Sequence, residues 1–380
     1  MDKSISHQKK IEYVNMALLA SFILSAGTNV AVWFIPEVTK LFSDFRVNSL
    51  LSEVLFALPF IIFIVYCGIN PVKEYGIGKI KVGDIFFIIL LSFLINPVVD
   101  FFNMFSLCFT GNVIAGAVST LYSETSFPVA LFLTAVLPAV AEEFIFRGVV
   151  FKTYKKASPV KALVLSAFLF GLCHGNLNQF GYAFALGIIA ALVVEATGSL
   201  VSSVLLHFLL NSVAVIKAYA LPWLYDNFIK SYYILCKKNG MQDMAELIEE
   251  YYGDMSLTGA EWMESMGKAV SEIRLSLGFV MVNYLPSAVI FGVLSWLVIK
   301  HLAKRGKNYN KFAAAYMGTD PVTVEKETKG PYETEGTTDL DEAEGDSSLR
   351  INSVPLMLSV AIGSLLIFVY QTLLMLPRAK

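Results

Sequence analysis

The sequence predicts an all-α, polytopic transmembrane helical bundle of about eight or nine helices. Hydrophobic residues make up 56% of the 380-residue chain, above the roughly 45–50% apolar content of an average soluble domain. Apolar runs of the roughly 17–25 residues needed to cross a bilayer recur along nearly the whole chain. The predicted spans are 13–37, 51–70, 83–106, 126–151, 160–175, 178–197, 200–221, 275–300 and 354–376.

Charge excludes one class of partner. The chain carries 29 Lys and Arg against 31 Asp and Glu, a net charge of −2. No basic face with interleaved aromatic residues occurs, so nucleic acid is not expected as a partner. The lipid bilayer is the predicted environment, as in a multi-pass protein of the cell membrane.

Basic clusters predict a cytoplasmic N-terminus. They occur at 3–10, 73–81, 152–161 and 300–307, and alternate spans bring all four to one side. The positive-inside rule assigns that side to the cytosol. Arg378 and Lys380 would then lie outside, so the orientation of the last helix stays open.

Two polar stretches, at 222–273 and 303–350, interrupt the apolar sequence. The first carries acidic sequence with a helical pattern, and the second turns into a run of like charge that cannot bury enough apolar surface to fold alone. The predicted division is N-terminal transmembrane helices at 1–125, a core at 126–221, an extramembrane helical insert at 222–273, a transmembrane helix at 274–302, a flexible acidic cytosolic linker at 303–350 and a C-terminal transmembrane helix at 351–380.

The fourth span places three charged residues in apolar sequence. An ionisable side chain at the bilayer centre costs about 2.5–3.5 kcal/mol, so each one needs a partner or a wet cavity. Glu143 and Arg147 are four residues apart and can form an ion pair on one helix face. Arg147 is expected to reach the interface by snorkelling. Glu142 points about 100° away and has no basic residue one turn along, so it is the predicted reactive carboxylate.

Polar residues in two further spans could converge with Glu142. His174 ends the fifth span, and His207 and Asn211 lie four apart in the seventh. A carboxylate, two imidazoles and an amide in a dry cavity suit amide hydrolysis by water. Glu142 and His174 fit the general-base and water-holding roles, whereas His207 and Asn211 fit stabilisation of the oxyanion. The predicted partner is a membrane-associated protein or peptide substrate.

Three motifs at these positions resemble a known family. EExxxR begins at Glu142, FxxxH runs from Phe170 to His174, and HxxxN from His207 to Asn211. In this combination they resemble the intramembrane proteases that include the type II CAAX prenyl endopeptidases and the bacteriocin-processing and immunity enzymes, the CPBP family. The resemblance covers about residues 120–220 and implies proteolysis in or beside the bilayer.

A metal requirement stays open. The family is often described as metalloproteases, and Glu142, His174 and His207 could hold zinc with a fourth position left for water. No HExxH motif occurs, however, and these ligands would come from three helices. Glutamate-assisted hydrolysis without a metal is equally compatible and is slightly favoured. In either form Glu143 and Arg147 have a supporting, structural role.

The function predicted from the sequence is therefore an intramembrane endopeptidase of the CAAX-protease type, acting on a CAAX-type, bacteriocin-like or signal-peptide-like substrate. The alternative is a catalytically silent membrane scaffold or a bacteriocin self-immunity protein. A secondary transporter would need broken helices in two related halves, which the sequence does not contain.

Overall fold

The computed structural model describes residues 5–78, 80–112, 121–122, 124–272, 275–306, 309–318, 346 and 348–375. Within these residues the chain is all-α, with fifteen helices and no strand. The helices are α1 (His7–Phe34), α2 (Pro36–Phe42), α3 (Phe45–Tyr66), α4 (Pro71–Glu74), α5 (Val82–Ser106), α6 (Phe127–Lys155), α7 (Pro159–Cys173), α8 (Leu177–Thr197), α9 (Leu200–Lys238), α10 (Gln242–Tyr252), α11 (Gly259–Glu272), α12 (Leu277–Asn283), α13 (Leu285–Arg305), α14 (Tyr309–Tyr316) and α15 (Val354–Met375).

Seven helices in the described part of the chain are long and apolar enough to cross a membrane: α1, α3, α5, α6, α8, α9 and α13. The protein is accordingly a multi-pass membrane protein. The fifth and ninth predicted spans also form apolar helices, but α7 (Pro159–Cys173) and the Val354–Tyr370 part of α15 are shorter than these seven. A total of eight or nine spans stays a prediction.

Helix α8 lies at the centre of the bundle. It packs against α5, α7, α9 and α13. Of the most hydrophobic 18-residue stretch of α8, 56% is buried inside the protein. Glycines allow the close approach of α7. A Cβ on Gly187 would lie 2.8 Å from the Cα of Ala167, and one on Gly171 would lie 3.0 Å from the Phe180 carbonyl oxygen.

The N-terminal helix α1 packs on α3 and α15. The Asn15 side chain donates to the Ile351 carbonyl at 2.9 Å and accepts from the Tyr154 hydroxyl. One hydrophobic core draws residues from α1, α3, α5 to α9 and α13 to α15. The helices within residues 126–221 share this core with helices before and after them.

The fourth span, α6, departs from regular α-helical geometry in two places. Phe132–Val136 and Phe144–Phe151 form π-helical turns, which lie on either side of the pair Glu142 and Glu143. Pro138 lies between them and lacks an N–H group. Wide turns of this kind occur frequently at functional sites, because they change the direction of nearby side chains.

The predicted insert is helical. Helix α9 continues to Lys238, beyond the predicted span end at 221, and is followed by α10 and α11. A small separate core holds this part together, with the rings of Tyr225 and Trp262 stacked at 4.8 Å. Its position outside the membrane stays a prediction.

The predicted linker at 303–350 begins with described structure. Helix α14 buries Phe312 in the main core. Residues 319–345, which include most of the acidic residues of the predicted linker, lie outside the described residues.

Candidate functional site

The three motifs meet at one cavity. It has a volume of about 370 Å³ and is lined by residues of α3, α6, α8 and α9 and by the end of α7. Four of these residues are the predicted catalytic group: Glu142, His174, His207 and Asn211. The folded chain therefore brings the four side chains from three separate helices to a common space.

An ion pair within α6 supports the site. Nη1 of Arg147 lies 3.1 Å from Oε1 of Glu143, and both side chains are fully buried. This is the i,i+4 pair that the spacing predicts. The same Glu143 oxygen lies 3.0 Å from Nδ1 of His207. Since a carboxylate accepts, His207 donates through Nδ1, and Glu143 thereby fixes both the tautomer and the orientation of the ring.

The snorkelling predicted for Arg147 is wrong. Its guanidinium is fully buried and lies 4.2 Å from the centre of the Phe170 ring. A counterion and an aromatic face together offset the loss of water, which makes an interior position tolerable. Gly187 leaves space for the guanidinium, because an added Cβ would lie 3.2 Å from Nη2 of Arg147.

The second nitrogen of His207 faces Glu142. Nε2 lies 3.7 Å from Oε2 of Glu142, longer than a direct hydrogen bond but within the range of an ion pair. The Glu142 side chain is 15% exposed, whereas that of Glu143 is fully buried. Of the two adjacent carboxylates, only Glu142 lines the cavity.

The end of α7 orients His174. Its Nδ1 lies 2.9 Å from the Phe170 carbonyl oxygen, so Nδ1 carries the proton and Nε2 keeps its lone pair. Gly175 ends the helix with φ of 65°, a conformation that glycine adopts without the strain of a Cβ. Asn176 then caps α8 by accepting from the Gln179 amide at 2.8 Å. Together these contacts hold His174 at the helix end.

Asn211 is held by a carbonyl group in α6. Its Nδ2 donates to the Thr134 carbonyl at 3.0 Å. In a regular α-helix the N–H of residue 138 would occupy that carbonyl, but residue 138 is proline and has none. Asn211 therefore donates to this carbonyl where Pro138 cannot, and its second N–H stays available for another acceptor.

The net charge of the four residues Glu142, Glu143, Arg147 and His207 depends on one proton. Glu143 and Arg147 neutralise each other, so Glu142 and His207 are left as the second pair. This pair is neutral when one proton is bound, on either the carboxylate or Nε2.

The predicted zinc ligands do not form a metal centre. Across the described part of the chain, no three His, Cys, Asp or Glu side chains come together in a grouping that could hold a metal ion. The residues as arranged therefore do not fit zinc.

Glu53 is a site residue that the sequence reasoning missed. It lies on α3 and lines the same cavity as Glu142. A carboxylate in the predicted second span was the available signal. Its place only two residues from the predicted beginning of that span suggests a water-exposed end, and only helix packing brings it to the site.

These features define a polytopic membrane protein with a buried polar site of acid, imidazole and amide groups. Residues 124–213, about a quarter of the chain, match the family model described as type II CAAX prenyl endopeptidase Rce1-like. The chain thus contains an Rce1-like domain of the CPBP family, and the resemblance predicted from the motifs is confirmed. Neither the comparison with curated proteins nor that with solved structures finds a match.

Proposed function

We propose that the protein is an intramembrane endopeptidase. It hydrolyses a peptide bond in a membrane-associated protein or peptide of the CAAX type, or of a bacteriocin-like or signal-peptide-like kind. One observation carries the proposal: Glu142, His174, His207 and Asn211 line a single cavity. The Rce1-like match over the same residues supports it.

In the first step, Glu142 acts as the general base. A water molecule in the cavity donates one hydrogen bond to the Glu142 carboxylate and one to Nε2 of His174, the ring nitrogen with the free lone pair. Glu142 takes a proton as the water oxygen attacks the carbonyl carbon. General-base catalysis of this kind typically contributes about 10²–10⁴-fold to the rate.

In the second step, His207 and Asn211 stabilise the oxyanion. Because Nδ1 of His207 already donates to Glu143, Nε2 can donate only when it holds the one proton of the Glu142–His207 pair, which makes the ring an imidazolium and leaves Glu142 a carboxylate. The carboxylate of Glu143 stabilises that cation. Asn211 adds its second N–H while the first stays on Thr134. Collapse of the intermediate then transfers the proton from Glu142 to the leaving amine.

We also propose the membrane arrangement that the basic clusters indicate, with the N-terminus in the cytosol of a cell-membrane protein. The basic ends of α6 and α13 would then lie on the cytosolic side. The core at 126–221 would provide the catalytic residues, and the insert and acidic linker would lie outside the membrane.

Glu142→Gln tests the function. The variant keeps the shape of the side chain and removes its basicity, so peptide cleavage by the purified protein should fall about 10²-fold or more at unchanged abundance. The probes are prenylated and unprenylated CAAX peptides and a signal-type transmembrane peptide. The matched control is Glu37→Gln, an exposed acid on α2.

Two outcomes would overturn the proposal. Cleavage that survives Glu142→Gln excludes the carboxylate as the base. A wild-type protein that cleaves none of the probes, and whose cellular phenotype also survives Glu142→Gln, is instead the catalytically silent scaffold or immunity protein.

A further inference from the structure

Glu53 occupies a place beside the catalytic group that no motif accounts for. It lies on α3, outside residues 124–213 of the Rce1-like match. It lines the cavity of about 370 Å³ together with Glu142. Both carboxylates also line an adjoining cavity of about 240 Å³ between α1 and α3. Glu53 is thus shared between the site and a neighbouring space.

The adjoining cavity has polar walls on two membrane helices. Thr28 and Asn29 lie one turn after Ser25 on α1, and Ser52 lies one turn after Asn48 on α3. In otherwise apolar spans, polar side chains at helical spacing form one face of a helix. Two such faces opposite each other suit the polar groups of a polypeptide better than a lipid tail.

Charge in this region is uncompensated at Glu53. Glu143 is paired with Arg147, and Glu142 faces His207. The described lining of the smaller cavity contains two carboxylates and no Lys, Arg or His. No ion pair or hydrogen bond of the Glu53 carboxylate occurs among the described residues, although an acid within a span needs a partner or water.

We infer that Glu53 is a specificity-determining residue that binds a Lys or Arg side chain of the substrate close to the scissile bond. This inference rests on the proposed function and names the class of substrate for it. The cationic side chain lies in the smaller cavity between α1 and α3. Its hydrogen bonds go to Glu53 and to the Asn and Ser side chains of the polar faces.

The charge of the two carboxylates also favours a cation over an anion in this cavity. A bound cation neutralises Glu53 while His207 remains free to share its proton with Glu142. An anionic group, such as a lipid phosphate, would meet two carboxylates and be repelled. The subsite therefore selects for basic residues and against acidic ones.

A charge-exchange experiment tests the inference. The probes are sets of three transmembrane peptides, with one set for each scanned position near the scissile bond. Within a set the peptides differ only in carrying Lys, Gln or Glu at that position. Wild-type protein should cleave one Lys peptide with kcat/KM about tenfold or more above its Gln counterpart, because a hydrogen bond between charged groups is roughly twice as strong as one between neutral groups. In Glu53→Gln that ratio should fall to near one, and in Glu53→Lys the Glu peptide should be preferred.

Glu37→Gln is the matched control, since it removes one negative charge on neighbouring α2 without lining either cavity. A preference for Lys that persists in Glu53→Gln, or the absence of any preference in the wild type, would overturn the inference. Peptide binding, measured in the Glu142→Gln variant, separates the inference about Glu53 from the proposed function. If binding prefers Lys in a way that depends on Glu53, but the wild type cleaves no peptide, the inference about Glu53 is supported and the proposed protease function is wrong.

Discussion

Nδ1 of His207 lies 3.0 Å from Oε1 of Glu143, and this contact joins α9 to α6 at the site. Because Oε1 also faces Arg147, Glu143 serves as counterion and orienting group at once. The second glutamate of the motif thus acts through His207 and does not reach the cavity.

Glu143→Gln should destabilise the protein as well as inactivate it. The substitution leaves the buried Arg147 guanidinium without its counterion, which typically costs about 3–5 kcal/mol. Thermal unfolding in detergent should show a lower midpoint, and abundance should fall. An unchanged midpoint would mean that the ion pair contributes little.

The double variant Glu143→Gln with Arg147→Met separates the two roles. Removing both charges restores a neutral interior, so we expect stability to return towards that of the wild type. Cleavage should stay low, because His207 still lacks the carboxylate that stabilises its imidazolium. Full recovery of cleavage would show that Glu143 serves only to neutralise Arg147.

Asn211→Ala should destabilise the protein near the π-helical turn of α6. It removes the donor to the Thr134 carbonyl, and a buried acceptor left unpaired costs about 1–3 kcal/mol. Adding Pro138→Ala restores an N–H at residue 138, so the double variant should regain part of the lost stability in thermal unfolding. Cleavage should not return, since the oxyanion donor is still missing. Strictly additive losses in stability would contradict the proposed link between Pro138 and Asn211.

Gly187→Ala should disturb the packing of α7 on α8. The new Cβ would lie 2.8 Å from Cα and Cβ of Ala167, and overpacking of this kind costs about 1–3 kcal/mol. Gly27→Ala on α1 is the matched control, because nothing lies within 4 Å of its new Cβ. The first variant should unfold at lower temperature, and the second should be neutral or slightly more stable. Equal effects would show that the close approach is not required.

Removal of metal should leave cleavage intact. The described residues offer no group of three side chains that could bind a metal ion. Hydrolysis with a glutamate as general base does not require a metal ion. Purified protein treated with a chelator, with metal content measured directly, should keep its rate. Loss of cleavage that returns with added zinc would instead support the arrangement of Glu142, His174 and His207 around a metal.

Much of the site could be predicted from the sequence because each motif lies within one helix. The spacing of four residues fixes Glu143 beside Arg147 whatever the rest of the bundle does, and the structure contains that pair. The burial of Arg147 could not be predicted, because it depends on the Phe170 ring of α7 and on space beside Gly187 in α8.

The sequence by itself determined the membrane class, most of the spans and the identity of the polar residues in them, since hydropathy and helical periodicity are local properties. Only the tertiary structure decided which residues meet across helices. It joined His207 to Glu143, paired Asn211 with the Thr134 carbonyl one turn before Pro138, and brought Glu53 to the cavity of Glu142. The physical reason is that contacts between helices depend on how their side chains interlock, and no spacing along one helix encodes that.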